Sequence, residues 1–169
     1  MSPDVDPAPI PEELKERDQW LLWGSDDPDA PKQPHWRGNF SISWSNPSDW
    51  HSFEEAYEAA QEKDSWGIGY VFANDNDSHA DGRYTCIDLD GCLEERGSPK
   101  DWLPSLQAFV DAGAYMEYSP SGTGIHIPLS DFEPPAWWTD CHFTDDEHEG
   151  VDLLANKFCT FTGHPVDVA

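Results

Sequence analysis

The chain has 169 residues, enough for one domain with a buried core, and its 34 Asp and Glu against nine Lys and Arg give a formal net charge of −25. The apolar fraction of 37% and the nine Trp residues exclude a wholly disordered chain. No run of residues approaches the ~20 apolar positions of a membrane-spanning helix, so we expect no association with membranes.

Two explanations of the negative charge are open. In molar salt the Debye length falls to ~3 Å, which screens the repulsion among carboxylates, and a lysine-poor acidic surface is typical of proteins from salt-accumulating cells. A mimic of nucleic acid, or a chaperone for a basic protein, would be acidic as well. We expect salt adaptation, but composition alone does not separate the two explanations.

The chain begins with a proline-rich stretch, residues 1–10, that has no hydrophobic periodicity. We predict a disordered lead there and one folded domain over residues 11–169 without a C-terminal extension. The lead has neither the basic region nor the apolar core of a signal peptide. We therefore expect a cytoplasmic protein.

Helices and strands alternate after this lead. A short helix is predicted over 11–17, followed by an apolar strand over 20–23 that ends at a glycine. Ser52 and Glu55 have the spacing of a capping box, which predicts a helix that begins after Ser52 and continues to about Lys63.

The second half of the chain is richer in strands. Segments 67–72 and 84–90 have β-favouring residues on either side of a polar loop and are candidates for a hairpin. A helix is predicted over 99–112, with Ser98 as its N-cap and Gly113 just after its end. Strands interleaved with helices predict an α+β fold or an α/β sandwich. The remaining strands are predicted over 115–118, 125–127, 150–154 and 157–162.

The cysteines are spaced without any CxxC pair, which favours reduced thiols over disulfides in a chain of this length. Cys141 and His142, with His148 nearby, supply only part of the four ligands of a structural zinc site, and we do not predict zinc. The four cysteines are Cys86, Cys92, Cys141 and Cys159.

Three short segments share one pattern, in which apolar residues alternate with polar ones that can bind metal or phosphate. This alternation is typical of a strand with one buried face. If the three strands are neighbours, their polar residues emerge together as a carboxylate cluster beside an imidazole. The segments are Ile87-Asp88-Leu89-Asp90, Ile125-His126-Ile127 and Val151-Asp152-Leu153.

Such a cluster suits nucleotidyl transfer by two Mg²⁺ or Mn²⁺ ions, which lie ~3.5–4 Å apart and share oxygen ligands. A DxD pattern alone is weak evidence, because one residue in five is acidic here. Segments 26–29 and 75–77 match the pattern loosely as well. Asp88 and Asp90 differ from them in lying within a predicted apolar strand, where a carboxylate is costly unless a metal or another partner compensates it.

The segment Ser119-Pro120-Ser121-Gly122-Thr123-Gly124 precedes the His126 strand. Its glycines let backbone amides approach a phosphate, and its hydroxyls and the imidazole can bind phosphate oxygens. An ordinary tight turn is the alternative interpretation of this segment. Lys157, five residues after Asp152, is a candidate contact for a triphosphate, with a solvated surface lysine as the alternative.

Taken in order, these motifs resemble the archaeo-eukaryotic primase superfamily, and most closely the primase-polymerase domains of phages, plasmids and archaeal mobile elements. The likeness covers roughly residues 18–165. The chain departs from the usual pattern at Gly124, where many members have Ser, and at Lys157, where Arg is common. The matching motifs are Cys86-Ile87-Asp88-Leu89-Asp90-Gly91-Cys92, Ser121-Gly122-Thr123-Gly124-Ile125-His126 and Val151-Asp152.

The resemblance implies a catalytic domain whose active site lies on an antiparallel sheet like that of RNA-recognition modules, with an N-terminal αβ unit. It implies that Asp88, Asp90 and Asp152 hold two Mg²⁺ or Mn²⁺ ions. The implied activity is that of a DNA primase and polymerase, acting on a DNA template and nucleoside triphosphates, with a replicative helicase as a candidate partner. The residues implied in nucleotide binding are Ser119, Ser121, Gly122, Thr123, Gly124, His126 and Lys157.

Two other functions are weighed against this one. A non-catalytic nucleotide-binding or regulatory module would keep the fold and lose activity, but the intact Asp88, Asp90, Asp152 and His126 argue against it. A rolling-circle nickase needs two histidines on either side of one apolar residue, and the segment around His126 has only one.

Overall fold

A computed structural model describes residues 4–73, 84–103, 105–130, 150–154 and 156–166. Within these ranges the protein is a mixed α+β structure with short helices and mostly antiparallel sheets, as the sequence predicted. No helix in the described ranges has the length and apolar character that crossing a membrane requires. The elements are α1 (Glu12–Lys15), β1 (Trp20–Trp23), β2 (Pro34–His35), α2 (Phe53–Ala60), β3 (Gly67–Phe72), β4 (Tyr84–Asp90), β5 (Leu93–Glu95), β6 (Ser98–Pro99), α3 (Gln107–Asp111), β7 (Glu117–Tyr118), β8 (Ile125–Ser130), β9 (Gly150–Leu154) and β10 (Lys157–Phe161).

The chain divides into two compact units. The first unit comprises residues 1–73 and 156–164, and the second comprises residues 74–155 and 165–169. Most of the second unit, residues 74–155, is therefore an insertion between β3 and β10 of the first. The domain predicted over residues 11–169 spans both units.

The first unit is built on a four-stranded antiparallel sheet in the order β10-β3-β1-β2. Every residue of β1 and β3 is buried, which is why these strands read as continuous apolar runs rather than as alternating ones. Trp20 lies at the centre of the core, with its ring edge-on to those of Phe53, Tyr70 and Phe161 at centroid distances of 5.0–5.2 Å.

The capping box at the start of α2 is confirmed. The Ser52 hydroxyl accepts a hydrogen bond from the Glu55 backbone N–H at 3.1 Å and donates one to the Glu55 carboxylate at 3.1 Å. The helix ends at Ala60, three residues before the predicted end at Lys63. Its buried residues include Phe53, which packs on Trp20.

Residues 4–10, within the stretch predicted as a disordered lead, make contacts with the first unit. Ile10 is only 2% exposed. The Asp6 backbone N–H donates to the Thr162 carbonyl at 2.9 Å, and the Asp6 carbonyl lies against the backbone of Gly163, which has φ +71°. A side chain at position 163 would clash with that carbonyl.

The second unit is built on an antiparallel sheet in the order β7-β8-β4-β9. Its apolar strand residues pack into one core with residues around α3. The pairing of the three alternating segments as neighbouring strands is confirmed, because β8 and β9 lie on either side of β4. The most buried members of this core are Ile87, Leu89, Cys92, Ile125 and Ile127.

One prediction about strand pairing is wrong. Segments 67–72 and 84–90 do not form a hairpin, because β3 pairs with β1 and β10 while β4 pairs with β8 and β9. Both segments contain β-favouring residues, and nothing local in the sequence indicates that they belong to different sheets.

The helix predicted over 99–112 is reduced to α3, and Ser98 is not its N-cap. Ser98 instead pairs with Glu95 in the β5–β6 hairpin, whose turn contains Gly97 at φ +82°. In the sequence, Pro104 lies in the interior of the predicted helix and lacks the N–H that such a position needs. Gly113, at φ +71°, follows the helix as predicted and adopts the left-handed conformation that glycine favours.

Candidate functional site

A row of polar side chains crosses the sheet of the second unit. Glu117 on β7 pairs with His126 on β8, His126 pairs with Asp88 on β4, and Asp88 pairs with Asp152 on β9. Residues directly opposite each other in neighbouring strands point to the same face of a sheet. The four side chains therefore share one face, and the alternate residues Leu89 and Ile125 are buried on the other.

Asp88, Asp90 and Asp152 lie on this face of the sheet, on the neighbouring strands β4 and β9. Asp88 is partly exposed, with 25% of its side-chain surface accessible, and Asp90 and Asp152 are exposed. Asp90 is two residues beyond Asp88 on the same face and pairs with Gly150, which has no side chain to cover it. Directly opposed carboxylates repel each other, and a cation between Asp88 and Asp152 would relieve that repulsion.

The donor chemistry of the three aspartates fits magnesium or manganese, since both ions prefer carboxylate oxygens. Among the described residues, however, no group of three or more His, Cys, Asp or Glu side chains already has the arrangement of a metal centre. The two-metal site formed by Asp88, Asp90 and Asp152 therefore stays a prediction.

His126 lies between two carboxylates. Its Nε2 is 3.5 Å from Oδ1 of Asp88, and its Nδ1 is 3.5 Å from Oε2 of Glu117. The imidazole is 6% exposed and the Glu117 side chain is fully buried. The Tyr115 hydroxyl donates to the other Glu117 oxygen at 2.9 Å. The two ring nitrogens thus lie beside different carboxylates, with Nδ1 next to Glu117 and Nε2 next to Asp88.

Glu117 was missed in the sequence analysis. The segment Tyr115-Met116-Glu117-Tyr118 was assigned to a strand, but no role was given to its acidic residue. A signal was present, because Glu117 alternates with the apolar Met116 and Tyr118 as Asp88 does with its own neighbours. The strand is only two residues long, however, and the pairing with His126 is what gives Glu117 its position.

The loop predicted to bind phosphates, residues 119–124, is closed on itself by hydrogen bonds. The Ser119 hydroxyl accepts from the Gly124 N–H at 3.0 Å and lies 3.1 Å from the Ser121 hydroxyl, which lies 2.9 Å from that of Thr123. Gly122 adopts φ +79°, which favours glycine. The three hydroxyls therefore form one connected cluster in the loop that precedes β8.

Glycine at position 124 suits the local packing. A Cβ atom at this position would lie 3.1 Å from both the Leu89 carbonyl oxygen and the Ser119 hydroxyl. Because Ser119 occupies the space that a larger residue would need, glycine suits position 124 as long as Ser119 is present.

Arg96, at the turn of the β5–β6 hairpin, is a second residue that the sequence analysis missed. Its side chain lies against Gly122, with Cγ and Nε each 3.4 Å from the position of an added Cβ. Its guanidinium lies 5.2 Å from the centre of the Tyr118 ring. An arginine beside the hydroxyl cluster is the kind of residue that binds a phosphate. Because Ser98 was predicted to cap a helix over 99–112, the β5–β6 hairpin that positions Arg96 was not predicted.

Lys157 belongs to the first unit, where it begins β10 and pairs with Phe72. It is exposed, and its contact with a triphosphate stays a prediction.

Cys141, His142 and His148 lie outside the described residues. The described cysteines are not joined in disulfides. Burial, with a smaller effect of the Asp88 and Asp90 charges, raises the pKa of Cys92 to about 12. These thiols are Cys86, Cys92 and Cys159.

No family model matches the chain. Comparison with curated proteins gives a relative. The chain is 26% identical over 151 residues to the DNA primase-polymerase of Nitratiruptor phage NrS-1. This alignment covers 88% of the chain but only 20% of the phage protein, so the chain spans about a fifth of its relative's length. The likeness supports a primase-polymerase relationship for nearly the whole chain.

Proposed function

We propose that the chain is a primase-polymerase catalytic domain of the archaeo-eukaryotic primase superfamily, which joins nucleotides on a DNA template. The observation that carries this proposal is the row of Asp152, Asp88 and His126 across three paired strands. A row of this kind places carboxylates for metal ions beside an imidazole for phosphate. The alignment with the phage DNA primase-polymerase, which spans nearly all of the chain, supports the same conclusion.

In this proposal Asp88, Asp90 and Asp152 hold two Mg²⁺ or Mn²⁺ ions. Such ions activate the attacking hydroxyl and stabilise the charge that develops on the phosphate oxygens. The aspartates would provide hard oxygen ligands from two adjacent strands, β4 and β9. Asp88 lies between His126 on one side and Asp152 on the other. The short hydrogen-bonded strands on which they lie limit the reorganisation needed for binding.

His126 and the loop 119–124 would bind the phosphates of the incoming nucleoside triphosphate. The Nε2 atom of His126 faces the aspartates, and the hydroxyls of the loop supply further donors close to β8. Arg96 adds a positive charge on the far side of Gly122. Lys157 is proposed as an additional phosphate contact.

The proposal extends to the biological context. A cytoplasmic replication protein of a chromosome or mobile element, working with a replicative helicase, is the setting that the domain type favours. The evidence for this setting is the resemblance of the motifs alone, so the biochemical activity is the first property to test.

The test is extension of a labelled primer on a DNA template with Mn²⁺ or Mg²⁺ and either set of nucleoside triphosphates. We expect the wild type to extend the primer and Asp88→Asn to reduce the rate at least 100-fold. Asp101→Asn, which removes an exposed carboxylate of the same unit outside the row, is the matched control and should retain activity. Nucleotide binding without extension by the wild type would favour the non-catalytic module.

We further propose that the acidic surface is adapted to high salt. The free energy of unfolding should rise from tens of millimolar to molar KCl, because salt screens the repulsion among the 34 acidic residues. The measurement is a thermal melt over that range, with KCl as the only variable. A midpoint that is constant or falls with KCl would contradict salt adaptation and favour the acidic-mimic explanation.

A further inference from the structure

One part of the first unit lacks the acidic residues that are frequent elsewhere. Residues 30–48, the acid-free segment, contain no Asp or Glu, although about four are expected in 19 positions at a frequency of 34 in 169. The segment contains Lys32 and Arg37, both exposed, and so has a positive formal charge. In a chain of charge −25, this is the longest stretch of sequence without a carboxylate, and the segment itself does not repel a polyanion.

The same segment is rich in aromatic side chains that remain accessible. Trp36, Trp44 and the adjacent Trp50 are partly exposed, and Phe40 is 39% exposed. Phe40 is one of two large apolar side chains in the described residues that are this exposed. Proteins that bind single-stranded nucleic acids stack accessible aromatic rings on the bases and place cations next to the phosphates.

These rings are connected and anchored. Trp36 stacks on His51 with a centroid distance of 3.4 Å and an interplanar angle of 4°. The His51 backbone exchanges two hydrogen bonds of 3.0 Å with the backbone of Trp20, at the centre of the core. The Trp50 indole N–H donates to the Trp44 carbonyl. The aromatic surface, defined as Trp36, Phe40, Trp44 and Trp50, is therefore attached to the sheet through the stacking of Trp36 on His51.

Arg37 occupies a position that an arginine seldom takes. Trp36 and Asn39 exchange two backbone hydrogen bonds, so that Arg37 and Gly38 form the tip of a tight turn. Arg37 has φ +49° and Gly38 has φ +87°. Turns with two positive φ angles favour Asn or Gly at the first position, because other side chains are strained there. A strained arginine at an exposed tip indicates that its side chain has a use.

We propose that the acid-free segment and the aromatic surface form a docking site for single-stranded nucleic acid. Arg37 and Lys32 would contact phosphates, and the aromatic rings would stack on bases. Arg37 forms an exposed ion pair with Glu62 at 3.1 Å, which a phosphate can replace at little cost. The identification of this strand as a DNA template rests on the proposed function, whereas the docking itself does not.

Three acidic groups border the site. Asp49 accepts a hydrogen bond from the Ser43 backbone N–H, Glu55 lies 3.3 Å from His51, and Glu62 pairs with Arg37. Each of these carboxylates is held by a hydrogen-bond donor or a cation at the edge of the segment. They would limit affinity at low salt but leave the aromatic rings accessible.

The first experiment measures binding of a fluorescent single-stranded DNA oligonucleotide by anisotropy, without nucleotides or divalent metal. With two phosphate contacts, the logarithm of the affinity should fall against the logarithm of the KCl concentration with a slope of about −1.4. Arg37→Asn should reduce that slope to about −0.7 and weaken binding roughly fivefold at 0.1 M KCl. Because Asn tolerates positive φ, the melting temperature of this variant should not fall.

The second experiment tests base stacking. Trp36→Ala should weaken binding of the oligonucleotide at least fivefold, and Trp36→Phe should restore most of the affinity because a phenyl ring still stacks. Lys100→Asn, which also removes one positive charge but lies in the second unit, is the matched control and should bind like the wild type. A poly-deoxythymidine oligonucleotide is the probe in every arm, so that no duplex competes.

The proposal is overturned if both Arg37→Asn and Trp36→Ala bind the oligonucleotide with the affinity of the wild type. It is also overturned if no oligonucleotide binds and Trp36→Ala instead abolishes a concentration-dependent self-association, since the surface would then belong to a second copy of the chain. Primer extension on the same preparations separates the two proposals. Extension with binding unchanged in the variants refutes only the docking site, and loss of binding in the variants without extension by the wild type refutes only the polymerase.

Discussion

The two sheets of this protein use their strand positions differently. In the sheet of the first unit, every residue of β1 and β3 is buried, and the core is filled by aromatic rings around Trp20. In the sheet of the second unit, the face of the central strands that carries Asp88, Asp90 and His126 is polar at one end only, and it continues into Cys86 and Pro128. The first arrangement buries apolar area along both strands, and the second gives up part of that area to present chemistry on one face.

This difference predicts where substitutions should affect stability and where they should affect activity. A residue of the first sheet contributes through burial and packing, so its loss should unfold the protein. A residue of the polar row contributes to a site, and its replacement by a neutral residue of equal shape should preserve the fold. The substitutions below test this distinction, from the largest expected effect on stability to the smallest.

Trp20→Ala should have the largest effect. Trp20 is fully buried, packs against three aromatic rings, and donates from its indole N–H to the Leu14 carbonyl at 3.0 Å. We expect the free energy of unfolding to fall by about 3–5 kcal/mol. The measurement is urea denaturation followed by circular dichroism. Val110→Ala, at a residue 39% exposed, is the control and should have little effect. An equal loss in both variants would contradict the aromatic core.

Glu117 is fully buried and is also a member of the polar row, so its substitutions should affect both stability and activity. Glu117→Ala leaves the Tyr115 hydroxyl and Nδ1 of His126 without their carboxylate, and should cost roughly 1–3 kcal/mol. Glu117→Gln keeps a hydrogen-bond acceptor for Tyr115 but removes the charge beside His126. In primer extension we expect this variant to fold and to show a raised KM for the nucleotide with a smaller change in kcat.

A matched control for this pair is Glu95→Gln, at an exposed residue of the same unit. It should change neither stability nor KM. If Glu117→Gln behaves in the same way, the buried carboxylate serves packing alone and the positioning of His126 does not depend on it.

His35 gives the first unit a pH dependence. The imidazole is fully buried and accepts a hydrogen bond from the Gly38 N–H at Nδ1, and burial, assisted by the charge of Lys63, lowers its pKa below the usual 6.5. The unfolded chain therefore gains a proton before the folded chain does. Stability should fall as the pH decreases below 6.5, by at most about 1.4 kcal/mol per pH unit.

The measurement is the urea midpoint between pH 7.5 and 5.5, in the wild type and in His35→Gln. The variant should be less stable at pH 7.5 but should lose less stability on acidification. Parallel curves for the two proteins would assign the pH dependence to other groups.

Asp152→Asn should have the smallest effect on stability. Removing one of two directly opposed carboxylates should leave the metal-free protein at least as stable as the wild type. Mn²⁺ should raise the melting temperature of the wild type by binding the native state, and should raise that of the variant much less. Asp101→Asn should respond to Mn²⁺ like the wild type. An equal Mn²⁺ response in all three proteins would place the metal elsewhere.

The sequence predicted those features whose signals are local. The capping box of Ser52 and Glu55 requires a spacing of three residues and nothing else, and it was confirmed. The shared face of Asp88, His126 and Asp152 was also predictable, because alternation determines the face as soon as the strands are neighbours. Their roles as metal or phosphate ligands stay predictions.

The features that could not be predicted depend on contacts between distant parts of the chain. Glu117 acquires its position from a pairing with His126, and Arg96 from a hairpin in which Ser98 acts as a strand residue rather than as a helix cap. The same holds for β3 and β4, which both contain β-favouring residues but pair in separate sheets. Local propensity carries no information about which partner a strand selects.

The position of β10 in the first sheet bears on how the protein is made. This strand pairs along β3, but 84 residues, the insertion among them, separate the two in the chain. At 5–20 residues per second, a ribosome needs roughly 4 to 17 seconds to synthesise that interval. During this time the newly made β3 has one unpaired edge, which is open to chaperones or to other nascent chains. Completion of the first unit must therefore await synthesis of residues 156–164, although most of its residues are made before the insertion.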